Sequence, residues 1–337
     1  DPRRDMRHLS NTLFNLMRSL REEEITIIFI SHRLEEVFEI ADRVTVLRDG
    51  KTIDTKEISE VNRQDVVGMM VGRELDEMFP KQSTPTDEVV LEVEGLTGPN
   101  GEWFRDISFQ LRAGEILGIS GLVGAGRSEM ARALLGLDPL ESGTVKVRGE
   151  VVRVRGIRDL MKRGFAYVPE DRKTQGLFLG MTVRENITIS VIRRLFKSIF
   201  VSIKRLTGLA KEYVEQLDIE TPGVEQTVRN LSGGNQQKTI IARGLTLKPR
   251  VFIMDEPTRG IDVGAKAEIH GLMDRLAGDG VGMIMISSEL PEILGISDRV
   301  LVMREGDLAG ELSREEATQD KIMSRAAGGE GSGGDSS

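Results

Sequence analysis

The sequence predicts an α/β protein, and three observations predict it. A glycine-rich turn, Gly121–Ser128, joins an apolar strand, Glu115–Ser120, to a helix, Ser128–Leu135. A second apolar strand, Val251–Met254, ends in two adjacent carboxylates, Asp255 and Glu256. A segment near the start of the chain returns near its end: Ile28 meets Ile284, an offset of 256 residues. Strands that feed helices through such turns are the pattern of a mostly parallel sheet flanked by helices.

The elements follow in order. Residues 11–31 read as a helix, a charged turn (Arg21–Glu24) and a buried strand, Ile25–Ile30, of β-branched and aromatic type. Ser31 and His32 close that strand. A second helix starts near Leu34, and Arg43–Arg48 is a strand that ends at the turn Asp49-Gly50. Residues 61–88 lose this regularity; Phe79–Thr86 is Pro/Ser/Thr-rich and reads as a linker. A new domain starts at Val89 and runs to Arg325. The tail 326–337 is Gly/Ser-rich and is expected to be disordered.

The repeat orders these parts. Ile28–Glu36 aligns with Ile284–Glu292, Ile40–Val44 with Ile296–Val300, and Gly50 with Gly306, all in one register. Ungapped identities over such a span read as a duplication. Residues 1–60 are then the end of one domain and residues 89–325 a whole copy of it. The chain opens on Asp1 rather than Met, and the expectation is that most of a first copy precedes it.

Composition narrows the function classes. The chain has 337 residues, a length expected to hold two domains, and 46 basic against 54 acidic residues give a net charge of −8. That balance argues against general nucleic-acid binding, which needs a basic surface. The absence of cysteine excludes disulfides, thiolate metal sites and cysteine nucleophiles. Three histidines (His8, His32, His270) are too few for a His-rich metal site. No apolar run reaches the ~18 residues that span a bilayer, and no secretory signal opens the chain.

Three motifs carry chemistry. Gly121–Ser128 has the phosphate-loop spacing, with Arg127 where lysine is expected, in the strand–turn–helix context the motif requires. Its glycines let backbone N–H groups wrap a phosphate, the helix start adds its dipole, and Ser128 can hold Mg2+. A glycine-rich strand–helix turn without a ligand fits the same residues. Asp255 would meet Mg2+ directly or through water, and Glu256 would polarise an attacking water. An acidic strand end at the surface is the plainer alternative. Leu231–Lys238 places Ser232, Gly233 and Gly234 at a helix start, an anion site or simply a serine cap with two glycines.

Taken together and in order, Gly121–Ser128, Tyr167–Lys173, Leu231–Lys238, Asp255–Asp262 and Ser287–Glu292 resemble the nucleotide-binding subunit of ATP-binding-cassette (ABC) transporters. The pattern is most similar to the double-cassette ATPases of bacterial monosaccharide importers of the ribose, xylose and galactose type. The resemblance implies a P-loop NTPase fold with a parallel core sheet. It adds an antiparallel β subdomain near residues 89–118 and 144–156, a helical subdomain near 178–230, and a tandem repeat. It implies ATP and Mg2+ as cofactors. Gly121, Gly124, Ala125, Gly126, Arg127, Ser128, Glu129 and Glu170 would line the second cassette's nucleotide, with Asp262 and Ser288 beside them. Ser232, Gly233, Gly234 and Gln236 would cover the partner cassette's nucleotide. Ser128 and Asp255 would bind the metal, and Glu256 and His32 would be catalytic. Trp103 or Phe104, ahead of the phosphate loop, would stack on adenine or sit in the core.

Three positions depart from the family pattern: Arg127 replaces a lysine, Glu170 a glutamine, and Ser288 the switch histidine that His32 supplies in the first copy. The resemblance therefore implies one competent and one degenerate ATP site, since ABC cassettes pair head to tail. It also implies an integral-membrane permease as partner, a sugar-binding protein acting through it, and a peripheral place on the cytoplasmic face of the bacterial inner membrane. Two other classes compete. A double-cassette ATPase acting on ribosomes or nucleic acid would show a long basic linker, whereas Glu74, Asp76, Glu77, Asp87 and Glu88 make this one acidic. A regulatory module with a dead nucleotide site is kept open by Arg127. Within the importer class, nucleosides and other small solutes compete with sugars. Within Met181–Phe200, Arg193, Arg194 and Lys197 read as a solvated face of the helical subdomain.

Overall fold

Continuous apolar runs form one sheet of the computed structural model, and alternating runs form another. The structure describes residues 13–30, 34–48, 51–62, 65, 66, 69, 81–153, 156–192 and 202–328. Two compact units emerge: residues 1–78 with 262–267, and residues 79–261 with 268–337.

The second unit contains both large sheets. Strands β5 (Ile116–Gly121), β8 (Phe165–Val168), β9 (Val251–Asp255), β10 (Gly282–Ile286) and β11 (Arg299–Arg304) run parallel, in the order β11-β5-β10-β9-β8. β12 (Asp307–Ser313) adds an antiparallel edge beside β11. Every residue of β9 and β10 is buried, as expected of strands covered on both faces. β3 (Val89–Thr97), β4 (Ile107–Arg112), β6 (Ser142–Val147) and β7 (Glu150–Val152) form an antiparallel sheet in the order β4-β3-β6-β7. β4 alternates buried and exposed residues without exception. Residues of both sheets share one core, which includes Leu91, Phe104, Leu111, Ile253 and Ile286.

That contrast corrects one boundary. The antiparallel sheet was expected through residue 118, but from Ile116 the chain is already in the parallel sheet. Ile116–Ile119 is apolar at consecutive positions and needs cover on both faces, which only the central sheet offers.

Helix α3 (Arg127–Leu134) follows the glycine-rich turn. The helical subdomain holds α5 (Val183–Thr188), started by a capping box of Thr182 and Glu185, and α6 (Ile203–Gln216); α4 (Ile157–Lys162) precedes it. Arg193, Arg194 and Lys197 lie outside the described residues. α7 (Gly233–Leu245) starts within the signature, Leu231–Lys238, α8 (Val263–Gly278) follows the two carboxylates, and α9 (Leu290–Ile296) follows β10. α10 (Gln319–Ala327) ends on Gly328 with φ +83°, and its Ala326 is buried. Residues 326–328, expected in a disordered tail, thus close this helix; residues 329–337 lie outside the described residues.

Residues 81–88, expected to belong to a linker, are instead part of the second unit. Lys81 is buried and reaches Asp298 at 2.9 Å, and the backbone N–H groups of Gln82 and Ser83 donate to Asp274. Buried carboxylates that find an ammonium and several N–H donors fix the chain there, so residues 81–88 are built into the second unit.

In the first unit, residues 13–22 form helix α1, followed by α2 (Leu34–Ile40), β1 (Arg43–Arg48) and β2 (Lys51–Glu57). α2, β1 and β2 match α9, β11 and β12 residue for residue at the 256 offset. Even the register shift between Val46 and Leu47 returns between Val302 and Met303. The expected strand Ile25–Ile30 is not formed: the segment has no regular secondary structure, and Ile28 and Ile30 are each 90% exposed. Its counterpart β10 lies between β5 and β9. Among the described residues of the first unit the only sheet is β1-β2, which offers that segment no neighbours.

Candidate nucleotide site

The glycine-rich turn leaves β5 and enters α3. Gly124 and Gly126 have φ of +83° and +89°, and a Cβ at Gly126 would overlap the Trp103 carbonyl oxygen. Only glycine allows that approach and that backbone shape. Leu122, Val123 and Gly124 are exposed, while Ala125, Gly126 and Arg127 are buried and Glu129 half-buried. The Trp103 side chain is 43% exposed, whereas Phe104 is fully buried in the core and cannot stack on a base.

Asp255 ends β9 beneath this turn. It is buried, its Oδ2 faces the Tyr167 hydroxyl at 3.5 Å, and its Oδ1 is buried without a hydrogen-bond partner. Burial pushes its pKa up to about 7; the Ser128 hydroxyl opposes this, Glu170 and Glu256 add to it, and Arg127 opposes it. A buried, unpartnered carboxylate oxygen facing a serine hydroxyl fits a magnesium ion, which takes its remaining ligands from water and phosphate. Among the described residues no group of three or more acidic or imidazole side chains could hold a metal ion.

Glu256 follows with φ +47°, an unusual value for a residue with a side chain. Its N–H donates to the Ile286 carbonyl at 2.8 Å, and Ser288 Oγ donates to its Oε2 at 3.2 Å. Burial raises its pKa, and the Ser288 bonds and the Arg127 charge oppose that. Behind it, Glu292 gathers Thr258 Oγ1 at 2.5 Å and Ser287 Oγ at 2.9 Å, with His270 Nε2 at 3.7 Å. Arg127 is buried and donates from Nη1 to the Ser287 carbonyl at 2.9 Å.

The Glu170 loop meets the turn after the carboxylates. The Glu170 carboxylate pairs with the Arg259 guanidinium, and Arg172 donates to the carbonyls of Arg259 (2.6 Å) and Gly260 (2.9 Å). Gly233 of the signature lies against Arg172 and Gly260. Ser232 is exposed and caps α7, accepting from Asn235 N at 3.3 Å and Nδ2 at 2.9 Å. Gln236 is buried, and its amide donates to Val228 and Leu231 carbonyls, so it shapes the loop before the signature rather than its surface. Asp262 accepts from Ala265 N at 2.9 Å, a helix cap. His32 lies outside the described residues.

Gly121–Ser128, Asp255, Glu256 and Ser288 thus gather around one site, and Ser232–Gly234 form a separate helix start. The reading of the sequence did not single out Thr258, Arg259 and Arg172, although they lie inside quoted motifs, nor Glu292, which the repeat pairs with Glu36. Their signal was a charged or hydroxyl residue two to four positions from a motif carboxylate.

Residues 104–259 match the family model described as ABC transporter. Solved ATP-binding cassettes share the fold. One, from an ABC transporter in its ADP conformation, superposes with a TM-score of 0.61 at 21% identity, covering 71% of this chain and 99% of that one. A dimeric post-hydrolysis cassette bound to ADP and Pi gives 0.58 at 21% identity over 66% of this chain and 98% of that one. The chain therefore has the ABC ATPase fold, a class of P-loop NTPase. Three curated relatives of this chain are named import ATP-binding proteins. It is 50% identical over 94% of its length to the ribose import ATP-binding protein RbsA 1 of Rubrobacter xylanophilus. It is 50% identical to a putative ribose/galactose/methyl galactoside import ATP-binding protein of Rhizobium meliloti, and 48% identical to the ribose import ATP-binding protein RbsA of Bacillus licheniformis, over 94% in each case. It spans 63%, 61% and 64% of the length of these three relatives.

Proposed function

We propose that this chain is part of an ATP-binding and ATP-hydrolysing subunit that powers import of a monosaccharide through a separate membrane permease. The observation that carries the reading is the buried Asp255 carboxylate, with its unpartnered Oδ1, below the turn Gly121–Ser128 in a chain half identical to ribose-type import proteins. Ser128 and Asp255 would hold Mg2+, which supplies charge for phosphoryl transfer when bound; Glu256, steered by Ser288, would orient the attacking water. The turn's N–H groups would bind the phosphates.

Residues 1–60 are read as the end of a first cassette and residues 89–325 as the second. The match of α2-β1-β2 to α9-β11-β12 at one offset supports this. In head-to-tail pairing, Ser232–Gly234 and His32 would serve one competent site. Arg127, Glu170 and Ser288 would make the other degenerate. A sugar-binding protein would feed the permease, and the subunit would sit peripherally on the cytoplasmic face of the inner membrane. No helix among the described residues is long and apolar enough to cross a bilayer, which fits a separate permease.

The test is ribose and galactose uptake by proteoliposomes holding the complete protein and its permease. Uptake should require ATP and be lost in Gly234→Asp, which sets a carboxylate where the γ-phosphate approaches α7 and like charges repel. Uptake that needs no ATP, or that survives Gly234→Asp, contradicts the reading.

A further inference from the structure

Arg127 occupies the position from which a phosphate-loop lysine would reach its phosphates, yet its side chain is committed elsewhere. The residue is only 9% exposed, and Nη1 donates at 2.9 Å to the Ser287 carbonyl, across 160 residues of sequence. That carbonyl stands just past β10. Ser287 is itself held by Glu292 through its hydroxyl, Glu292 also holds Thr258, and the next residue, Ser288, donates to Glu256. One guanidinium therefore joins the glycine-rich turn to the loop that steers Glu256.

We propose that Arg127 is a positioning residue rather than a phosphate ligand: it fastens the turn Gly121–Ser128 to the loop Ser287–Ser288, and the phosphates are bound by the turn's N–H groups and Ser128. The guanidinium is a planar fork whose donors point in fixed directions, unlike a compact ammonium. Swinging it to a phosphate breaks a charged hydrogen bond in a buried place, which disfavours the swing by about tenfold to a hundredfold. The inference rests on the reading of Gly121–Ser128 as a nucleotide site, and its test separates the two.

The chain carries its own reporter. Trp103 is its one tryptophan, and its carbonyl packs against Gly126. Binding of a non-hydrolysable ATP analogue with Mg2+ is followed by Trp103 fluorescence and by calorimetry, and amide hydrogen exchange is followed at residues 287–289. In Arg127→Ala, affinity should stay within about threefold, while exchange at 287–289 should quicken by about tenfold or more. Arg127→Lys, which keeps the charge and an N–H donor, should restore slow exchange; it also stands in should the alanine variant fail to fold. A tenfold loss of affinity in Arg127→Ala makes Arg127 a phosphate ligand and overturns the proposal. So does exchange at 287–289 that is unchanged in Arg127→Ala, or exchange in Arg127→Lys as fast as expected for alanine. If the unmodified chain binds no nucleotide, the functional reading fails, and the exchange measurements alone decide the role of Arg127.

Discussion

Burial pushes the Asp255 carboxyl up to about 7 from its ordinary value of 3.8. The folded state therefore holds this proton more tightly than the unfolded chain does. The stabilisation this gives is fully present below pH 3.8 and is lost as pH rises through about 7. Asp255→Asn removes the titration. Its stability relative to the native chain should be higher at pH 8 than at pH 5, by roughly 1–3 kcal/mol, in unfolding experiments without metal or nucleotide. The same stability difference at both pH values would contradict a buried, unpaired carboxylate. Magnesium needs the ionised form, so its binding at neutral pH should release protons, and adding it should offset the stability lost above pH 7. The two carboxylates were legible in the sequence because an apolar strand ending in Asp-Glu is a short local pattern. Glu292 was not, although it closes a quoted motif, because its partner Thr258 lies 34 residues away in sequence and meets it only in the fold.

At the scale of elements, Arg243 joins three pieces. From α7 its Nε and Nη2 donate to the Asn186 carbonyl and side-chain oxygen, each at 2.8 Å, and its Nη1 to the Gly176 carbonyl at 2.5 Å. Its guanidinium lies 5.6 Å from the Phe178 ring centre, and burial lowers its pKa to about 10. The signature helix, the segment after the Glu170 loop and α5 are thereby tied together. Arg243→Leu should cost roughly 2–3 kcal/mol in chemical denaturation, and Arg243→Lys should recover little of it because one ammonium cannot serve three acceptors in fixed directions. Full recovery by lysine would show that charge alone suffices. Most elements were readable from periodicity: the alternation of β4 and the solid apolar run of β9 each specify their sheet. Ile25–Ile30 shows the limit of such reading. It has the composition of β10, but a strand exists only where neighbouring strands satisfy its backbone, and composition carries no information about neighbours. Lys81–Ser83 failed in the opposite sense, since a Ser/Thr-rich stretch looked loose until Asp274 and Asp298 were found to hold it.

For the whole molecule, the proposed function makes this chain half of a reciprocal arrangement. The turn Gly121–Ser128 would need a signature from another cassette, and Ser232–Gly234 would need another cassette's phosphate loop. Two copies of the chain could pair and place each Ser232 over the other's Arg127 site. That pair would still lack a phosphate-loop lysine, and its switch position beside Glu256 is Ser288, not a histidine. Losing a donor to developing charge at such a position lowers rates by ~10²–10³. The most direct measurement is phosphate release by the purified chain, Asp1–Ser337, over a range of protein concentrations, alongside Mg2+-dependent nucleotide binding. Nucleotide should bind, and almost no phosphate should be released at any concentration. Robust turnover that rises with protein concentration and disappears in Glu256→Gln would contradict this, because the site built on Arg127, Glu170 and Ser288 would then be a competent one.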